Sequence, residues 1–295
     1  MVGVTLRKRS AIAGATAVAM VAGFGAFLGL RDWDLPLGLP LPARPGCTVG
    51  IDQSQVSLNP EQMANAATIA AVGVRSKMSE RAVVVALATA LQESKLENIP
   101  GGDRDSVGLF QQRPSQGWGT PEQIRDPRYA AGKFYVGLKK VRGWEKMRVT
   151  DAAQRVQRSA FPEAYEKWAD DSSVLAKALV GRAPGAVACT LTGEPAARGA
   201  AATTALTAGL RLDWDQAATT MPAPAVGLAV PVADDRIGWR YAHWLVAHAT
   251  WRGVERVRFA DQEWKAASGG WTRVDPQRAA GTRQVIAEVF RDREP

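Results

Sequence analysis

The run Ala82–Leu91 reads A-V-V-V-A-L-A-T-A-L, apolar throughout except for Thr89. It is too long for an ordinary strand and rich in Ala and Leu, so it predicts a buried helix. The chain then turns polar at once, with Gln92, Glu93 and Ser94. A turn holding Gly101, Gly102, Asp103, Arg104 and Asp105 follows, and after it Gly108-Leu109-Phe110-Gln111-Gln112. A carboxyl group at the end of a buried helix loses hydration, and desolvation favours its neutral form. Glu93 is therefore the candidate general acid, a group that must still hold its proton when it reacts. Asp103 and Asp105 are candidates for a second carboxylate that positions a water. Taken by themselves they read more readily as turn residues bonded to local backbone amides.

Local signals place further helices around this one. Asn59-Pro60 starts a helix running to about Arg75, and Ser79 stands at the cap of the buried helix. Thr120-Pro121-Glu122-Gln123 and Asp126-Pro127 are two more starts. A helix over Pro127–Val141 puts Ala131, Phe134, Tyr135 and Leu138 on one face. Thr150 is expected to cap Asp151–Ser159, and Pro162 to open a helix that Gly181 ends. No convincing strand is visible between Cys47 and Cys189, although the turn around Gly101–Gly108 has room for a short hairpin. From Gly181 to Asp234 the chain is dominated by Ala, Thr, Pro and Gly, so 191–234 reads as a linker, with Leu210-Arg211-Leu212-Asp213-Trp214 the only hint of order in it. Residues 235–295 then read as a small α+β unit rich in tryptophan. It has a helix over Arg236–Trp251, with Trp239, Ala242, Val246 and Ala249 inward. Strands are expected at Val254–Phe259, Glu263–Ala267 and Gln284–Phe290.

The N-terminus speaks for export. Arg7, Lys8 and Arg9 precede an uncharged run, Ser10–Leu30. That run reaches the roughly 20 residues a membrane-spanning helix needs. No small-x-small cleavage site follows Gly25, so residues 1–30 read as a cytoplasmic tip and uncleaved anchor, with a cleaved signal as the alternative. Residues 31–46 are a Pro- and Leu-rich spacer. The chain has 295 residues and a net charge of +8, which suits an anionic surface as well as nucleic acid. No nucleic-acid-binding motif accompanies that charge. The cysteines, Cys47 and Cys189, lack metal-ligand spacing, and in an exported chain they predict one disulfide across the ends of the helical module. The histidines, His243 and His248, are five apart on one helix and read as structural rather than as a metal pair.

Glu93-Ser94, the Gly-rich turn with Gly102-Asp103-Arg104, and Gly108-Leu109-Phe110-Gln111 together resemble a pattern of soluble lytic transglycosylases and goose-type lysozymes. The resemblance covers roughly Cys47 to Cys189. It implies a mainly α lysozyme-like domain at 47–190, followed by the small α+β domain and preceded by the membrane helix. It further implies an extracytoplasmic enzyme that cleaves the glycan strands of peptidoglycan through Glu93, with no cofactor and no metal. Ser94 and Gln111 match the family's serine and cleft glutamine. Gln112, Trp118, Tyr129 and Tyr135 are further candidates for sugar contact, although aromatic residues of this kind are commonly core. The family's Ala-Tyr-Asn-type helix corresponds here to Asp151-Ala152-Ala153-Gln154-Arg155, where the tyrosine is missing and Gln154 stands in its place. Two routes stay open. One is hydrolysis through a water held by Asp103 or Asp105. The other, implied by the resemblance, uses Glu93 alone and gives an anhydro sugar. Two non-enzymatic alternatives stand beside them: an anchored wall-binding scaffold, and an interaction protein working through its C-terminal domain, whose partner the sequence does not name.

Overall fold

The computed structural model describes residues 46–221, 226–275, 277 and 279–293. The expected membrane segment Ser10–Leu30, and the spacer before Gly46, lie outside the described residues. Among the described residues no helix is long and apolar enough to cross a membrane.

The described chain begins with a hairpin, β1 (Gly46–Ile51) and β2 (Ser54–Leu58). Helices α1 (Pro60–Arg75) and α2 (Glu80–Ser94) follow. Asn59 Oδ1 accepts the Gln62 amide at 2.9 Å, and Gln62 Oε1 accepts the Asn59 amide at 2.8 Å, so α1 starts on a reciprocal cap. Thr120 and Gln123 close the same device at α3 (Pro121–Ile124), and Asp126 caps α4 (Pro127–Lys139). Ala131, Phe134, Tyr135 and Leu138 of α4 are all buried, as their spacing predicts. After α5 (Val149–Gln157) and α6 (Ala169–Leu179) comes β3 (Val187–Thr190). The apolar run of α2 is the centre of this bundle, packed on α1, α4, α5 and α6.

Two local expectations shift. Helix α5 begins before Thr150, with Arg148 at the cap. Thr150 lies in the first turn, where its hydroxyl donates to the Pro162 carbonyl and its amide to Glu166 at 3.0 Å. Pro162 opens a turn rather than a helix, and a short 3-10 segment, Glu166–Trp168, leads into α6.

Larger corrections concern the module's ends and the supposed linker. The region between the cysteines is not strand-free: β1, β2 and β3 form an antiparallel sheet in the order β2-β1-β3. Cys47 pairs directly with Cys189 across it, and the two are joined by a disulfide. Segment 191–234 contains helix α7 (Gly199–Trp214). Ala202, Leu206, Leu210 and Trp214 recur every four residues along α7 and are buried, with α1 among the elements it packs on. Strands β4 (Thr219–Thr220) and β5 (Gly227–Pro231) also fall there. Then come α8 (Asp235–Ala247), α9 (Ala249–Arg252), β6 (Val254–Ala260), β7 (Gln262–Lys265), β8 (Trp271–Arg273) and β9 (Gly281–Val289). The second sheet is antiparallel, in the order β4-β5-β9-β6-β7-β8. The described chain is thus a mixture of helices and antiparallel sheets.

Helix α8 joins the two parts into one compact unit. It lies on β6 and β9 on one side and on α1, α6 and β3 on another. Gly238 allows the close approach to the sheet, because a Cβ there would stand 1.9 Å from the Phe259 ring. His243 is the staple: its Nδ1 donates to the Ala178 carbonyl at 2.9 Å, and its Nε2 accepts the Ala186 amide at 3.2 Å. Burial pushes its pKa down to about 4, so the ring is neutral and both nitrogens are satisfied. The Trp271 indole adds a bond to the Val187 carbonyl at 2.7 Å. The Trp-rich C-terminal part is therefore core shared with the helical module.

Candidate active site

Helix α2 ends when Lys95 takes a left-handed conformation, φ 57°. At that end Ala90, Leu91 and Ser94 point inward and Glu93 faces an open cleft. Ser94 is buried, and its hydroxyl donates to the Leu109 carbonyl at 2.8 Å. Ser94 therefore pins the Gly108–Gln112 loop to the helix and does not line the cleft. Leu109 and Phe110 are the loop's apolar anchor, with Phe110 stacked on Phe134 of α4 at 4.9 Å.

Gln111 sits on the cleft wall with φ 46°, a conformation that costs a non-glycine residue energy. Its amide offsets that cost by donating to the Gly108 carbonyl at 3.1 Å and accepting from Ser106 at 3.0 Å. Gly102 faces it without a side chain, since a Cβ there would lie 1.7 Å from Gln111 Oε1. Gln112 lines the cleft but is almost fully buried in its wall, where its amide donates to the Ala130 carbonyl at 3.2 Å.

Two residues from later in the chain complete the Glu93 environment. The Tyr165 hydroxyl donates to Glu93 Oε1 at 2.7 Å, and Gln157 Nε2 donates to the same oxygen at 3.3 Å. Gln157 is itself held by the Phe110 carbonyl at 2.7 Å. Burial raises the Glu93 pKa above the ordinary value, against these two donors, which favour the charged form. Tyr165 is fully buried and burial pushes its phenol up, so it keeps its proton and donates it to Glu93. No hydrogen bond from a described residue reaches Glu93 Oε2.

The cleft has a volume of about 510 Å³ and is lined by Glu93, Asp103, Gln111, Gln112, Trp118 and Gln157, with Arg104, Arg113, Arg158 and Phe161 also on its wall. A neighbouring groove of about 530 Å³ shares Gln116, Trp118, Gln157 and Arg158 with it and continues past Lys140 and Arg155. Trp118 thus stands where the two meet. Phe161, 73% exposed, is an aromatic rim residue.

The remaining sequence candidates divide. Asp103 lines the cleft, but its side chain is 92% exposed and loosely paired with Arg104 at 3.8 Å. Asp105 is committed elsewhere: it accepts Arg113 Nε and the Ser115 amide, each at 2.7 Å, and the Ser115 hydroxyl at 3.0 Å. These donors hold its carboxyl well below the usual range, and it does not line the cleft. Tyr129 is a support, its hydroxyl bonded to the Trp118 carbonyl at 3.1 Å. Tyr135 is core, bonded to the Ile69 carbonyl at 3.0 Å. Gln154 grips Ser159 through both ends of its amide, at 2.7 and 3.2 Å, and so fixes the rim loop instead of meeting a substrate.

Sequence reasoning missed Gln157 and Tyr165. Gln157 lies one helical turn past Gln154 on α5, so the amide sought for the cleft is present but displaced by a turn. Nothing in the spacing around Tyr165 points to Glu93, which is 72 residues away. Among the described residues no group of three or more His, Cys, Asp or Glu is placed to hold a metal ion. No protein-family model matches the chain, and no curated protein matches it.

Proposed function

We propose that this chain is a lysozyme-like enzyme that cleaves the glycan strands of peptidoglycan outside the cytoplasm, with Glu93 as general acid. The observation that carries the reading is the Glu93 carboxyl on the wall of an open cleft, its pKa raised by burial and one oxygen held by two donors. With Oε1 occupied, Oε2 is the oxygen that carries the proton to the leaving glycosidic oxygen. As that bond breaks, Glu93 becomes a carboxylate, and the Tyr165 and Gln157 bonds strengthen with its charge. The carboxylate then removes a proton from the sugar's own primary hydroxyl, whose oxygen closes on the electron-poor anomeric carbon. One carboxyl group serves both steps.

This single-carboxylate route is favoured over hydrolysis because Asp105 is bound to Arg113 and Ser115, and Asp103 stands in solvent. The arginines of the cleft, with Lys140 and Arg155 of the groove beyond, suit a polymer bearing carboxylates. The disulfide and the apolar run Ser10–Leu30 support an exported protein anchored at the membrane, or released by signal cleavage.

Mass spectrometry of fragments released from purified cell wall tests the reading. Anhydro-ended fragments are expected from the parent protein, and none from Glu93→Gln, which should still bind glycan. Fragments carrying an added water, lost in Asp103→Asn, would establish the hydrolytic route. A parent protein that binds wall and releases nothing would be a scaffold, and cleavage by Glu93→Gln at the parent rate overturns the role of Glu93.

A further inference from the structure

A pocket of about 370 Å³ opens where α1, α4, α7 and α9 meet, and it shares no lining residue with the Glu93 cleft or its groove. Behind its wall lies Asp213, fully buried. Asp213 Oδ2 accepts the Trp244 indole at 2.8 Å and the Thr68 hydroxyl at 3.1 Å, and Oδ1 lies 2.5 Å from Arg128 Nε. That carboxylate is ion-paired with Arg128, and its charge also acts at longer range on Arg252 and His248.

Two groups on the wall lack a full partner at one polar atom. The first is His248. Its Nδ1 lies 2.9 Å from the Trp244 carbonyl, which only accepts, so Nδ1 carries the proton and Nε2 is left as an acceptor. Thr68 Oγ1 is 3.4 Å from Nε2, but its single proton serves Asp213. Burial lowers the His248 pKa to about 4, which keeps the ring neutral and Nε2 in need of a donor. Because Thr68 and Asp213 both face Nε2 while Nδ1 is taken by backbone, the three do not form a nucleophile-activating triad. The second group is Arg252. Its Nη1 donates to the Ala205 carbonyl and its guanidinium lies 5.5 Å over the Trp244 ring, but among the described residues no carboxylate is within ion-pair distance of it. The Arg252 Nε–H is buried without an acceptor. Glu61, also on the pocket wall, is turned to the Asn98 amide at 3.4 Å.

Next to Arg252, Trp251 stands 52% exposed and lines the same pocket. A cation with no direct ion pair and a buried Nε–H without an acceptor, a weakly served ring nitrogen and an open aromatic face describe one ligand: an anion that also offers a hydroxyl and a ring with an apolar face. We propose that this pocket is a second binding site that takes an anionic sugar, with its carboxylate or phosphate against Arg252, a hydroxyl donating to His248 Nε2, and its ring on Trp251. The inference does not depend on Glu93.

Titration calorimetry on the full chain in mild detergent tests it, with glucuronate, glucose phosphate and neutral glucose as probes. At least one of the two anionic sugars should bind about tenfold or more tighter than glucose, and which one does so separates carboxylate from phosphate as the favoured group. Arg252→Met should remove that preference, and Trp251→Ala, at an exposed position that spares the fold, should weaken binding. Glu93→Gln should leave the affinity unchanged. The proposal is overturned if neither anionic sugar exceeds glucose, if the preference survives Arg252→Met, if Trp251→Ala binds as the parent does, or if Glu93→Gln abolishes binding and so assigns it to the cleft.

Discussion

Replacing Cys47 and Cys189 together by alanine should cost about 5 kcal/mol of folding free energy. The two residues face each other in the β1–β3 pairing, and 142 positions separate them along the chain. In the oxidised chain that loop is already closed before folding begins. Without the bond, the unfolded state regains the freedom of the whole loop, and β1 must find β3 at full entropic cost. Both side chains are buried, so truncation also leaves a small cavity, which adds to the loss. The native backbone pairing survives the substitution, since its hydrogen bonds are main-chain. Urea unfolding followed by far-UV circular dichroism, extrapolated linearly to water for the oxidised parent and the double variant, measures the difference. A loss smaller than about 1 kcal/mol would refute the reasoning, because it would mean that the unfolded chain keeps its ends together without the bond. Neither cysteine lines the cleft, so the folded fraction of the variant should keep the activity of the parent.

Three further outcomes are expected. Tyr165→Phe deletes the 2.7 Å donor to Glu93 and should raise the Glu93 pKa beyond its already elevated position. Carbon NMR titration of the carboxyl reads this directly, and an unchanged or lower pKa would remove Tyr165 from the site. His243 and His248 are held at about 4 when folded, against 6.5 in the unfolded chain, so between these values the unfolded chain binds the extra protons. Their contribution is complete above pH 6.5 and is lost as pH falls toward 4, by up to about 3 kcal/mol per histidine. Urea unfolding at a series of pH values should show this fall, and a flat profile would contradict it. Asp105→Asn should free Arg113 and speed amide exchange around Ser115 without abolishing cleavage. Lost cleavage with unchanged exchange would make Asp105 a reacting group after all.

Helix starts were legible because a cap is a local event. Asn59 with Gln62, Thr120 with Gln123, and Asp126 with Arg128 each close within a few residues. The buried helix ending at Glu93 was legible because its apolar run is long enough to admit one reading. Helix α7 was not, although Ala202, Leu206, Leu210 and Trp214 carry a regular spacing. Its Ala, Thr and Gly neighbours dilute the pattern to the composition of a linker, and only packing on the rest of the molecule reveals it. The first sheet was hidden for another reason. Strands β1 and β3 are short, and what makes them strands is a partner at the other end of the module.

The candidate site divides along the same line. Sequence determined that a carboxyl group would end a buried helix, that a polar Gly-containing turn would follow, and that two cysteines would flank the module. Tertiary structure decided which side chains face the cleft. Ser94, Asp105, Tyr129 and Gln154 have the chemistry of ligand contacts, yet each spends it on a backbone or a neighbouring loop. Gln157 and Tyr165 reach Glu93 from 64 and 72 residues away. A residue's type states which hydrogen bonds and charges it offers, and spacing states which near neighbours it meets within a turn. Which distant group accepts that offer is set by how helices pack on one another, and that is a property of the whole fold.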